Sequence, residues 1–109
     1  MERTQQGKEA RTSEVYLLHF KTPYWKRAQH YVGYTTIGAE ERIELHRKGR
    51  GSLLVNYAHN KLGIEFTVGM VESYASKPLA RWRELQLKHE GHLARHCEVC
   101  QDEAKSRKT

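Results

Sequence analysis

The chain predicts an α+β domain: a three-stranded antiparallel sheet flanked by about three helices, in the order β-β-α-α-β-α. Three observations lead there. Apolar, β-branched and aromatic residues fall into short runs of strand length at 15–20, 30–35 and 64–71. Between the second and third runs, and again after the third, the pattern switches to helical spacing closed by glycines. The 109 residues suffice for one hydrophobic core, so strands and helices must share it.

Residues 1–13 are polar and without periodicity, and read as a flexible N-terminal arm ahead of a domain over 14–100. In the first strand Val15, Leu17 and His19 alternate with Tyr16, Leu18 and Phe20. The stretch 21–29 contains Pro23 and is too long for a tight hairpin turn. A second strand over 30–35 places Tyr31, Gly33 and Thr35 on one face, because side chains alternate across a sheet. If the two strands pair, Tyr16 and Tyr31 can meet. Gly33 then either leaves room for a close approach to the backbone or marks a kink.

After Gly38, the run AEERIELHRKG carries Ala39, Ile43 and His46 at helical spacing with Gly49 as its stop. Arg42 and His46 are four residues apart and share a helical face. Ser52 is the expected N-cap of a second helix, LLVNYAHNKLG, with Leu53, Leu54, Tyr57 and Ala58 as its apolar side and Gly63 as its terminator. The third strand, 64–71, is expected to put Ile64, Phe66, Val68 and Met70 on one side. Ser76 is the expected cap of a final helix with Pro78 in its first turn and Gly91 at its end. Residues 101–109 read as a flexible, solvated C-terminal tail.

Nineteen Lys and Arg against thirteen Asp and Glu give a formal charge of +6. A positive field over a small domain gathers polyanions, which makes nucleic acid the first partner to consider and plain solubility the alternative. No run approaches the roughly 18 apolar residues of a membrane span, and the N-terminus lacks the apolar core of a signal peptide. The expected location is the cytoplasm, with no membrane partner. Both cysteines fall in one Cys97-x-x-Cys100 unit, which suits a reducing compartment and excludes a disulfide scaffold.

The segments EVY at 14–16 and YVG at 31–33 are followed by the helix with Arg42 and His46. Next come an H-x-x-G-x-G-S run over 46–52, a late helix with Glu84 and Lys88, and the C-x-x-C ending. In this order they resemble the GIY-YIG nuclease superfamily over about residues 14–100, and within it the small stand-alone members. The resemblance implies hydrolysis of a DNA phosphodiester. It places Tyr16 and Tyr31 at the two motif tyrosines, Arg42 at the arginine of the first helix, His46 at a frequent family histidine, and Glu84 at the glutamate that holds a single divalent metal. The chain departs from the family pattern where Glu14 replaces the first motif's glycine, where Val15 and Val32 replace isoleucine, in a spacing from Tyr31 to Arg42 one residue longer than is common, and in having no asparagine after Glu84.

These residue types suit that chemistry. A phosphodiester under attack gathers negative charge, which a metal ion and a guanidinium neutralise together. One carboxylate plus waters suits Mg²⁺ or Mn²⁺. Tyrosine, with a reference pKa near ~10, is a poor base unless a cation stabilises its phenolate; Tyr16 and Tyr31 are both candidates, and His46 either accepts the phenol proton or binds a phosphate oxygen. Lys48, Arg50, Lys61, Arg81, Arg83 and Lys88 are candidate phosphate contacts, although Glu84 and Lys88 also stand in the order of a surface ion pair. With no attached recognition domain, the expected activity is structure- or damage-directed or of low sequence specificity, as in DNA repair or recombination, with selectivity supplied by a protein partner. A non-catalytic nucleic-acid-binding module with the same fold is the alternative. His92, His96, Cys97 and Cys100 are chemically able to hold zinc, but they run together where structural zinc usually takes two separated pairs. A reduced turn that packs the C-terminus down is the competing reading.

Overall fold

The run SEVYLLHF is apolar at almost every position, the pattern of a strand covered on both faces. In the computed structural model, which describes residues 13–108, it forms β1 (Ser13–Phe20), the middle strand of an antiparallel sheet ordered β2-β1-β3. Its neighbours are β2 (His30–Thr35) and β3 (Phe66–Tyr74). The register sets Tyr16 opposite Gly33, Leu18 opposite Tyr31 and His19 opposite His30.

Helices cover both faces. After β2 come α1 (Ala39–Arg47) and α2 (Leu53–Val55), the latter continuing into a π-helical turn over Asn56–Lys61. After β3 come α3 (Lys77–Glu90), a 3₁₀ turn over Leu93–His96, and α4 (Glu98–Lys108). One core joins Tyr16, Leu18 and Phe20 to Ala39, Ile43, Val55, Ala58 and Phe66; the other joins Val15, Leu17 and Val32 to Met70, Ala80, Leu87 and Cys97. The α+β architecture is therefore as the sequence predicts, with strand parity sorting residues between two helical layers.

Several local features differ from expectation. Most of the segment read as a flexible tail belongs to α4, whose chain enters from the fully buried Cys97. The proposed N-terminal arm lies outside the described residues up to position 12, while Ser13 is buried in β1. In β3 the alternation breaks: Leu17 pairs with Met70 but Leu18 with Val68, which leaves Gly69 as the extra residue of a β-bulge. The bulge lets Phe66 enter one core and Met70 the other, and leaves Val68 exposed.

The apolar side of α2 also differs. Val55 and Ala58 face the core, whereas Leu53 is 88% exposed and Leu54 and Tyr57 are only partly covered. Ser52 fixes the start of the helix, because its hydroxyl accepts from the backbone N–H groups of Leu54 and Val55. Ser76 occupies the N-cap position of α3 without a capping side-chain bond; at the other end Gly91 closes the helix in the left-handed conformation, φ 76°.

Candidate active site

β1 points Tyr16 toward α1, and α1 buries His46 on the same side as Ala39 and Ile43. Tyr16 Oη and His46 Nε2 lie 2.7 Å apart, with both side chains essentially inaccessible. The Ser52 backbone N–H donates to His46 Nδ1 at 3.3 Å. A neutral imidazole that accepts at Nδ1 carries its proton on Nε2, so this network makes His46 the donor and the phenol oxygen the acceptor. Burial, reinforced by the Arg42 charge, depresses the His46 pKa to about 4, in keeping with a neutral ring.

The glycines of the motifs serve this pair. A Cβ on Gly33 would lie 2.6 Å from Tyr16 Oη, so the close approach its sequence position suggests is made by the phenol itself. A Cβ on Gly51 would collide with the His46 ring at its Nδ1 edge. In the H-x-x-G-x-G-S run, Gly49 turns the chain out of α1 at φ 79°, Gly51 passes against the imidazole, and Ser52 both holds that ring and caps α2.

Tyr31 and Arg42 join the same centre. The Tyr31 ring lies 6.3 Å from that of Tyr16 and 5.5 Å, edge-on, from that of His46. Burial and the neighbouring Tyr31 push the Tyr16 pKa well above the ordinary phenol range; Arg42 is close enough to oppose them, and Glu84 adds a smaller upward push. The resting phenol is therefore protonated. Arg42 also lines an open hollow of about 330 Å³ with Tyr34, Thr35, Thr36, Ile37 and Lys77. Lys77 escaped the sequence reading because it precedes Pro78 in the first turn of α3, far along the chain from the tyrosine motifs.

Glu84 sits on α3 and is only 4% exposed. Arg81 Nη1 donates to Oε1 at 2.8 Å, and Lys88 Nζ pairs with Oε2 at 3.2 Å. Two cations thus compensate a buried carboxylate that would otherwise be costly to keep charged. The carboxylate is the hard oxygen donor that Mg²⁺ or Mn²⁺ takes, and its two partners are carried on side chains that are 51% and 48% exposed. The other carboxylate of interest, Glu14, accepts from the Ala39 backbone N–H at 2.6 Å and from Ser73 Oγ at 3.2 Å. It caps α1 from a distance, because the local N-cap is Gly38 and has no side chain to do so.

Among the candidate phosphate contacts, Lys48, Arg50 and Lys61 are exposed. Arg81 and Lys88 hold Glu84. Arg83 is committed to the fold: its Nε and Nη2 reach the two Glu72 oxygens at 2.9 and 3.3 Å, and Nη1 donates to Gln86 Oε1 at 2.8 Å. That fork ties α3 to β3.

Of the four side chains named as able to hold zinc, the two histidines do not join the two cysteines. His96 pairs with Glu90 Oε1 at 3.0 Å, and His92 is exposed at the start of the 3₁₀ turn. The side chains that gather with Cys97 and Cys100 are His19 of β1 and His30 of β2, all four donor atoms lying within 4.8 Å of one another. The two thiols are not joined by a disulfide. The sequence offered one sign, the parity that puts His19 on the face of Val15 and Leu17; the partnership with His30 depends on a register that the long 21–29 loop leaves unspecified.

No protein-family model, no curated protein and no solved structure matches the chain.

Proposed function

We propose that the protein is a metal-dependent endonuclease that hydrolyses DNA phosphodiester bonds, of the GIY-YIG kind its motifs resemble. The observation that carries this reading is the convergence of Tyr31, Arg42 and His46 on the one buried phenol of Tyr16, beside the hollow lined by Arg42 and Lys77. Arg42 and Lys77 bind the non-bridging oxygens of the scissile phosphate. His46 donates to the phenol oxygen and holds it in place. With His46 donating to the phenol oxygen and Arg42 beside it, the phenolate of Tyr16 forms once further positive charge arrives nearby, its proton passing to solvent, and then takes the proton of the attacking water. Tyr31, less buried, orients the attacking water. Mg²⁺ or Mn²⁺ held by Glu84 would supply charge neutralisation at the phosphate.

In this reading water attacks phosphorus as its proton passes to the Tyr16 phenolate, the bond to the leaving sugar oxygen breaks and that oxygen takes a proton from solvent, and selectivity comes from DNA structure or damage, or from a protein partner. Among the described residues no helix is long and apolar enough to cross a membrane, and we place the enzyme in the cytoplasm, in repair or recombination. One observation favours a second reading, a nucleic-acid-binding module without catalysis: both Glu84 oxygens are already paired with cations.

The test is Mg²⁺- or Mn²⁺-dependent nicking of supercoiled, branched and single-stranded DNA. The wild type is expected to cut, Glu84→Ala to be inactive, and Arg42→Ala to be slower by about 100-fold or more. Wild-type rates in Arg42→Ala would refute the catalytic assignment. Salt-sensitive binding without cutting would establish the binding module instead.

A further inference from the structure

We infer that His19, His30, Cys97 and Cys100 form a structural zinc site that clamps the C-terminal helix to the sheet. The distances carry the inference. Four ligands around tetrahedral Zn²⁺, with bonds of about 2.0–2.1 Å to nitrogen and 2.3 Å to sulfur, stand about 3.3 Å apart for two nitrogens and about 3.6 Å apart for nitrogen and sulfur. Here His19 Nδ1 and His30 Nε2 are 3.2 Å apart. The Cys97 and Cys100 sulfurs lie 3.4 and 3.5 Å from His19 Nδ1, and Cys100 Sγ lies 3.3 Å from His30 Nε2. Four edges of the polyhedron therefore already have the lengths of a Cys₂His₂ tetrahedron, and the remaining two are within 4.8 Å.

The fold makes room for this arrangement. His19 and His30 are directly cross-strand partners, so β-sheet register alone brings the two imidazoles together. Cys97 is fully buried and packs on the bulged Gly69, where a Cβ would lie 2.7 Å from its sulfur. Cys100 follows one helical turn later in α4 and completes the set. Two thiolates balance the charge of the ion, so a neutral unit occupies a largely buried position. With four protein ligands and no position left for water, the site is of the closed, structural kind. It is also separate from the candidate active site, because His19 lies on the opposite face of β1 from Tyr16.

The test is metal content and its consequence for stability, neither of which depends on nuclease activity. Protein produced with zinc in the medium and analysed by native mass spectrometry and elemental analysis is expected to carry one Zn²⁺ per chain. Removing it with a strong chelator under reducing conditions is expected to lower Tm by more than about 10 °C. Cys100→Ser, at a half-buried position, should lose the metal, while His92→Ala and His96→Ala should keep it. Cobalt loading of the wild type is expected to give the visible bands and the thiolate charge-transfer band of tetrahedral S₂N₂ Co²⁺, which reads the ligand set even where a cysteine variant folds poorly. A metal-free wild type whose Tm ignores chelator, an octahedral cobalt spectrum, or zinc lost with His92 and His96 instead would each overturn the assignment.

Discussion

His46 has no water to fall back on: buried against Tyr16, it must satisfy both ring nitrogens within the protein, and it does so through the phenol and the Ser52 amide. His46→Ala is therefore expected to destabilise the fold by about 2–4 kcal/mol, through the cavity and the two groups left unpaired, as read from urea midpoints. The same burial gives stability a pH dependence of fixed sign. The unfolded imidazole takes up a proton near pH ~6.5, the folded one only at about 4, so protons favour the unfolded chain in that window. Stability is expected to fall as pH drops from about 6.5 toward about 4, by at most about 3 kcal/mol from this group, and the loss should flatten in His46→Gln. Gly33→Ala drives a methyl into the Tyr16 hydroxyl and is expected to cost about 1–3 kcal/mol in the same assay. Arg42 and His46 were legible as a pair because helical spacing fixes i and i+4 on one face, and the meeting of the tyrosines was legible from strand parity. That Gly33 accommodates the phenol was not legible, since it depends on which residue stands opposite.

At the scale of elements, the boundaries set by chemistry in the local sequence were readable. Ser52 before α2 and Gly91 after α3 stand where capping and left-handed φ require them. The errors fall where a distant segment decides. The phase of α2 follows from its docking through Val55 and Ala58, and the bulge at Gly69 follows from serving two cores at once. The helicity of α4 follows from an anchor at Cys97 rather than from the polar residues beyond it. Glu14 is the clearest instance: as a substitution within a motif it looked like a departure, yet it caps a helix that begins 25 residues later. Glu14→Ala is expected to cost about 0.5–2 kcal/mol, with amide exchange accelerated first at the start of α1.

For the whole molecule, the order of strands and helices in the sequence was enough to reach a helix-covered three-stranded sheet, because so short a chain has few ways to bury those faces. The surplus of positive charge has a measurable consequence if DNA is the partner. Replacing Lys48, Arg50 and Lys61 together by Gln is expected to weaken binding at low salt and to reduce the steepness of log K against log salt by about 2–3, as read by fluorescence anisotropy. Unchanged slopes would place the DNA path elsewhere. The contact between Tyr16 and Gly33 also bears on how the molecule finds its topology. Sliding β2 along β1 by one residue sends Tyr31 and Val32 to the wrong cores, but sliding by two keeps every face correct and would go unnoticed by hydrophobicity alone. Such a slip sets Tyr31 or Thr35 opposite the phenol, and either side chain needs the space that only glycine vacates. The smallest residue in the strand thus acts as its proofreader, rejecting the misalignment that the apolar pattern would accept.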